Sequence, residues 1–148
     1  MTAALQEILL APDTRPKVIA DCQTLIKQEV SRLSGISGTA VKLAYKTVVT
    51  FAPGHIHYMV DTLLPRMADE LQPYWMDFNA SGGSDFGDYL ARHSEEVSEA
   101  LLSVTDERGA ASSRPTITKA YGAVRGSAAR HVTAALPDVG ALVQRYAA

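Results

Sequence analysis

At 148 residues, with 47% apolar and 20% charged side chains and a net charge of −2, the chain has the make-up of one globular domain with its own core. A lone cysteine, Cys22, excludes an intramolecular disulfide and points to a reducing, cytoplasmic setting. The most apolar stretch, residues 40–60, is broken by Lys42, Lys46, Pro53, Gly54 and two histidines, which excludes a membrane span of about 20 apolar residues, and the weakly charged start, Met1 to Glu7, is not expected to be a signal peptide.

Helical spacing dominates from the start. A short helix is expected over Thr2–Leu10, stopping before Pro12. Asp13 or Thr14 then caps a second helix with Pro16 in its first turn and Val18, Cys22, Leu25, Ile26, Val30 and Leu33 on one face. The glycines of residues 34–38 end it. A third helix, about Thr39–Phe51, is apolar over most of its circumference and is expected to be the central, most buried one. Pro53-Gly54 breaks it, and a fourth helix follows over His55–Leu64. Pro65 either kinks that helix or opens a fifth that ends near Phe78. After the Ser81–Ser84 loop, Ser84 or Asp85 caps a long helix to about Arg108 that buries Phe86, Leu90, Val97, Leu101 and Val104. Ser113 and Pro115 start the next helix, to about Leu136, and Pro137 opens a last one to Tyr146.

Parts of the chain echo each other. Val41–Val48 resembles Ile117–Val124, and Leu64–Tyr74 aligns without gaps on Leu136–Tyr146, with Leu, Pro, Gln and Tyr at identical spacing. The expected architecture is therefore all-α: a single-domain bundle of six or seven helices over residues 1–148, read as a pseudo-two-fold duplication with halves 13–78 and 85–148. Charge is segregated. Residues 61–107 carry eleven acidic side chains against Arg66 and Arg92, whereas residues 108–137 carry Arg108, Arg114, Lys119, Arg125 and Arg130 and no acid. Neighbouring antiparallel helices that complement each other explain this more simply than a nucleic-acid surface does.

Chemical motifs are sparse. His57 and Asp61 share a helix face, and His55 and His131 are further candidates for a histidine-dependent or metal site, but no ligand set for iron or zinc is complete. No metal or cofactor is expected. Cys22 falls in register with the core, and His93 sits between Leu90 and Val97 on an apolar face. Residues 73–78 gather the only tryptophan with further large apolar groups, as core or as a pocket wall. Gly122 and Gly126, four apart among small residues, predict a close helix approach. Thr105, Asp106 and Arg108 read as a polar cluster at a helix end, with a binding role as the alternative.

Ser37–Lys46, Leu63-Leu-Pro65 and Leu101–Arg108 resemble a small, uncharacterised helical family of actinobacteria. That resemblance implies an all-helical fold and no particular activity. Function is then expected at a seam between the halves near Tyr45, Tyr74, Trp75 and Tyr121, with His57 and His131 as the histidine candidates: a non-enzymatic protein that binds an apolar small molecule, a partner helix or a second copy of itself. The alternatives are an enzyme using His55, His57 and Asp61, and nucleic-acid or acidic-partner binding through the basic helix of residues 114–130, the latter disfavoured.

Overall fold

A computed structural model describes residues 4–111 and 115–147. Among them the chain forms seven helices and no strand: α1 (Leu5–Leu9), α2 (Arg15–Arg32), α3 (Gly35–Phe51), α4 (His55–Ala80), α5 (Phe86–Arg92), α6 (Ser94–Ala111) and α7 (Pro115–Ala147). The two longest, α4 with 26 residues and α7 with 33, hold the centre, and every other helix packs on at least one of them.

Several expected boundaries move. No new helix opens at Pro65 or Pro137; both lie inside continuous helices, as does Pro73. A proline in a helix interior removes an amide donor and orphans the carbonyl four residues earlier. For Pro65 that carbonyl belongs to Asp61, and Arg15 Nη2 donates to it at 2.8 Å. The same guanidinium pairs with the Asp61 carboxylate at 2.8 Å, so one side chain from α2 repairs the ladder that Pro65 interrupts. The helix expected over residues 85–108 is instead two. His93 closes α5 and α6 starts at Ser94, running on to Ala111 through Gly109. Asp85 does cap α5, its side chain accepting from the Asp88 amide at 3.0 Å. The Ser113 cap and the first residues of the expected first helix lie outside the described residues.

The third helix is the clearest correction. It starts at Gly35 rather than Thr39, and it is not the buried centre. Only Gly38 is buried, while Ile36, Leu43 and Phe51 are 94%, 64% and 76% exposed. An all-round apolar helix can be enclosed only if neighbours surround it. Here α4 and α7 hold the centre, and α3 lies on the outside against α7 with smaller contacts to α2 and α4.

One apolar core joins the other six helices. It includes Leu5 and Leu9 of α1, Val18 of α2, Leu64, Ala68, Leu71, Trp75 and Phe78 of α4, Phe86 and Leu90 of α5, Val97 and Leu101 of α6, and Leu136, Leu142 and Val143 of α7. Close approach of two helices is achieved by Gly87 of α5 and Gly140 of α7. A Cβ on Gly140 would stand 2.3 Å from the Gly87 Cα, and one on Gly87 would stand 2.4 Å from the Pro137 carbonyl oxygen. Among the described residues of the chain no helix closes on Gly122 and Gly126, where added Cβ atoms would meet open space.

Hydrogen bonds set the helix directions near the site. Ser98 meets Thr133 at 2.8 Å and Asp106 meets Arg125 at 2.7 Å, so α6 and α7 are antiparallel. Tyr74 lies by His93 at one end of α4 and Tyr58 by Arg108 at the other, so α4 and α6 are antiparallel too. The N-terminal ends of α4 and α7 therefore converge on the C-terminal end of α6.

Candidate functional site

Between α2, α4, α6 and α7 lies a cavity of about 460 Å³. Its walls follow from helix periodicity. On α4, Ile56, Met59, Val60, Leu63, Leu64, Met67 and Leu71 recur at three- and four-residue intervals and form one stripe. Val18, Cys22, Leu25 and Ile26 of α2 face it, with Leu101 and Leu102 of α6 and Val132, Ala135, Val139, Leu142 and Val143 of α7. Almost the whole lining is hydrocarbon and methionine sulfur. Its volume falls in the range of about 300–1,000 Å³ typical of small-molecule sites.

Polar groups gather where the three helix ends converge: His55 of α4, Thr105 and Arg108 of α6, and Tyr121 of α7. The Tyr121 hydroxyl donates to Asp106 Oδ1 at 2.5 Å and lies 2.8 Å from Thr105 Oγ1. Arg125 grips Asp106 with two bonds, Nε to Oδ1 at 2.7 Å and Nη2 to Oδ2 at 2.9 Å. These contacts hold the Asp106 carboxyl below its ordinary range, chiefly through Arg125 and then Tyr121. The phenol of Tyr121 is pushed up, first by burial and then by its bond to Asp106. Arg108 is placed differently. Its Nη2 donates to the Tyr58 hydroxyl at 2.8 Å, and its guanidinium carbon sits 5.5 Å from the centre of the Tyr58 ring. No carboxylate forms an ion pair with it among the described residues.

Of the residues expected to form the seam, only Tyr121 reaches this cavity. Tyr45 is half-buried on α3, away from the lining. Trp75 lies in a separate aromatic cluster, its ring 5.7 Å from Phe78 and 5.0 Å from Phe86. Tyr74 flanks His93, which packs 4.5 Å from the Tyr89 ring. Tyr89 donates to Asp77, and burial with that bond pushes its phenol up to about 12. The histidine candidates differ in their surroundings. His57 is exposed, Asp61 is held by Arg15, and His131 is half-buried on α7. Only His55 lines the cavity. Among the described residues no group of three or more histidine, cysteine, aspartate or glutamate side chains could hold a metal ion. Burial, with the charge of Asp21 behind it, raises the Cys22 thiol to about 11, which keeps it protonated on the cavity wall.

Two basic side chains of α7 are engaged by neighbours. Arg125 is engaged by Asp106, and Arg130 Nη2 donates to Ser37 Oγ of α3 at 2.7 Å. Lys119 is exposed, and Arg114 lies outside the described residues.

Sequence reasoning singled out Cys22, Thr105, Arg108 and Tyr121 but missed their shared surroundings. The stripe of α4 reads as ordinary core packing, because spacing reveals which residues face inward and not whether facing side chains meet. Met59 and Met67 were the available signal, since flexible thioethers often line surfaces that adapt to a ligand.

A family model described as a family of unknown function (DUF6918) matches residues 5–147, and the chain belongs to that family. Neither the curated proteins nor the solved structures include a match. No helix among the described residues is long and apolar enough to cross a membrane.

Proposed function

We propose that this family member is a non-enzymatic binding protein that holds an apolar small molecule among α2, α4, α6 and α7. The observation that carries the reading is the cavity of about 460 Å³ with its nearly continuous apolar wall. The cavity opens to solvent, with Ile56, Met59, Val60, Leu63 and Met67 of its wall only half-buried, so an apolar guest can enter and remove that hydrocarbon surface from water at about 25 cal/mol per Å². A flexible hydrocarbon ligand suits it best. The protonated thiol of Cys22 and the histidines offer no nucleophile held against a base, which favours binding over catalysis. A cytoplasmic location accords with a single unpaired cysteine.

Calorimetric titration with straight-chain alcohols tests this. Saturable one-to-one binding is expected, tightening about fourfold per added methylene until the space is full, as burial of about 0.8 kcal/mol per CH₂ requires. Ala135→Leu, which grows a side chain into the cavity, is expected to weaken dodecanol at least tenfold while the fold is retained. Absence of saturable binding, or an affinity indifferent to Ala135→Leu, contradicts the proposal.

A further inference from the structure

Building on the reading of this cavity as an apolar ligand site, we propose that the ligand is a single-chain amphiphile whose anionic head is held by Arg108. Three observations converge on Arg108. First, it lines the cavity at the polar end, while the wall beyond it is apolar. Second, both acidic residues preceding it are already paired: Glu107 with Arg66 of α4, and Asp106 with Arg125 of α7. Among the described residues the positive charge of Arg108 is thus left without a carboxylate partner, while Glu107 and Asp106 have theirs. Third, its guanidinium already rests against Tyr58. The Tyr58 hydroxyl accepts one of its N–H donors, and the Tyr58 ring lies beside the guanidinium. A guanidinium has five donors in a planar fork that matches a carboxylate or a phosphate. Holding it against Tyr58 reduces the side-chain entropy lost when an anion docks.

The hydroxyls at the same end do not compete for that role. Tyr121 donates to Asp106, and Thr105 is engaged with Tyr121 and with the Leu102 carbonyl oxygen. Their bonding is complete without a ligand, so they shape the head-group end and leave recognition of charge to Arg108. The tail would run from there along the α4 stripe of Met59, Leu63 and Met67 toward Leu71.

The test compares three twelve-carbon probes with different heads, namely dodecanoate, dodecyl phosphate and dodecanol, titrated below micelle formation into the wild type and Arg108→Gln. At least one anionic probe is expected to bind about tenfold tighter than dodecanol, and Arg108→Gln is expected to abolish that preference while dodecanol binding stays within about twofold. Which anion is preferred identifies the head group. Arg108→Lys, which keeps the charge and loses the fork, is expected to fall between the two. Equal binding of all three probes by the wild type overturns the assignment of charge recognition while leaving the apolar site intact. Binding of none removes both. The wild-type comparison decides the matter even if a variant does not fold.

Discussion

Arg108 donates to the Tyr58 hydroxyl at 2.8 Å across the junction of α6 and α4, fifty positions apart in sequence. This single bond links the polar end of the cavity to the start of the helix that supplies most of its wall. Tyr58→Phe keeps the ring and deletes the acceptor. It is expected to weaken dodecanoate by about threefold to tenfold and leave dodecanol unchanged, as read by calorimetry. An equal loss for both probes would mean that Tyr58 shapes the wall and does not position Arg108.

The glycines give a paired prediction on stability. Gly140→Ala forces a Cβ into the backbone of Gly87, 2.3 Å away, and neither backbone can yield cheaply. A loss of about 2–3 kcal/mol is expected from chemical denaturation. Gly122→Ala adds a methyl into open space on an exposed helical position and is expected to gain about 0.5–1 kcal/mol. Equal effects of the two would contradict the α5–α7 crossing described above.

How much of this was legible in the sequence follows from the same residues. The all-helical class, the Asp85 cap and the burial of Phe86, Leu90 and Val97 come from local spacing, and the structure has them. The Gly122 and Gly126 pair illustrates the limit, because a small-residue motif states that close approach is allowed and cannot state that a partner is there. The actual crossing uses Gly87 and Gly140, far apart in the chain and sharing no motif. Pro65 shows the same limit. Its cost is local, but the compensation comes from Arg15 on another helix. For α3, local hydrophobicity suggested burial, whereas the lengths of α4 and α7 decided what surrounds what. Helix boundaries do not carry the duplication that the Leu-Pro echo suggested: Pro65 and Pro137 both lie inside long helices, but α2 is unbroken while the start of the second half divides at His93 into α5 and α6.

Arg15→Met tests the repair at Pro65. Removing both the bond to the Asp61 carbonyl and the ion pair at 2.8 Å is expected to cost about 1–2 kcal/mol. In a Pro65→Ala background, where the alanine amide supplies the missing bond, Arg15→Met should cost measurably less. Identical costs in the two backgrounds would rule out the compensation.

His131 gives a pH dependence. Burial, aided by the charge of Arg130, lowers its imidazole pKa below the ordinary value, and Nε2 has no bonding partner among the described residues. A depressed folded-state pKa means that the unfolded chain takes up the proton more readily. Stability from this group is therefore complete above about pH 6.5 and declines as pH falls through the lowered value. Urea midpoints of the wild type should drop between about pH 7.5 and pH 5, and His131→Gln should flatten that drop. An unchanged slope in the variant would show that other groups govern the dependence.

Cys22 reports on the cavity wall. With its thiol raised from 9.0 to about 11, alkylation by iodoacetamide near neutral pH should be about a hundredfold slower than in the denatured chain, and slower again with dodecanol bound. Equal rates in the folded and denatured protein would contradict its placement.

The most direct measurement of cavity occupancy uses the methionine methyl groups. Met59 and Met67 line the cavity, whereas Met76 is 49% exposed and lies outside it. In a protein labelled with ¹³C at the methionine methyls, dodecanoate is expected to shift the Met59 and Met67 signals along one saturable curve and leave Met76 in place. Shifts at Met76 alone, or none at Met59 and Met67 at saturating dodecanoate, would contradict an apolar ligand held between α2, α4, α6 and α7.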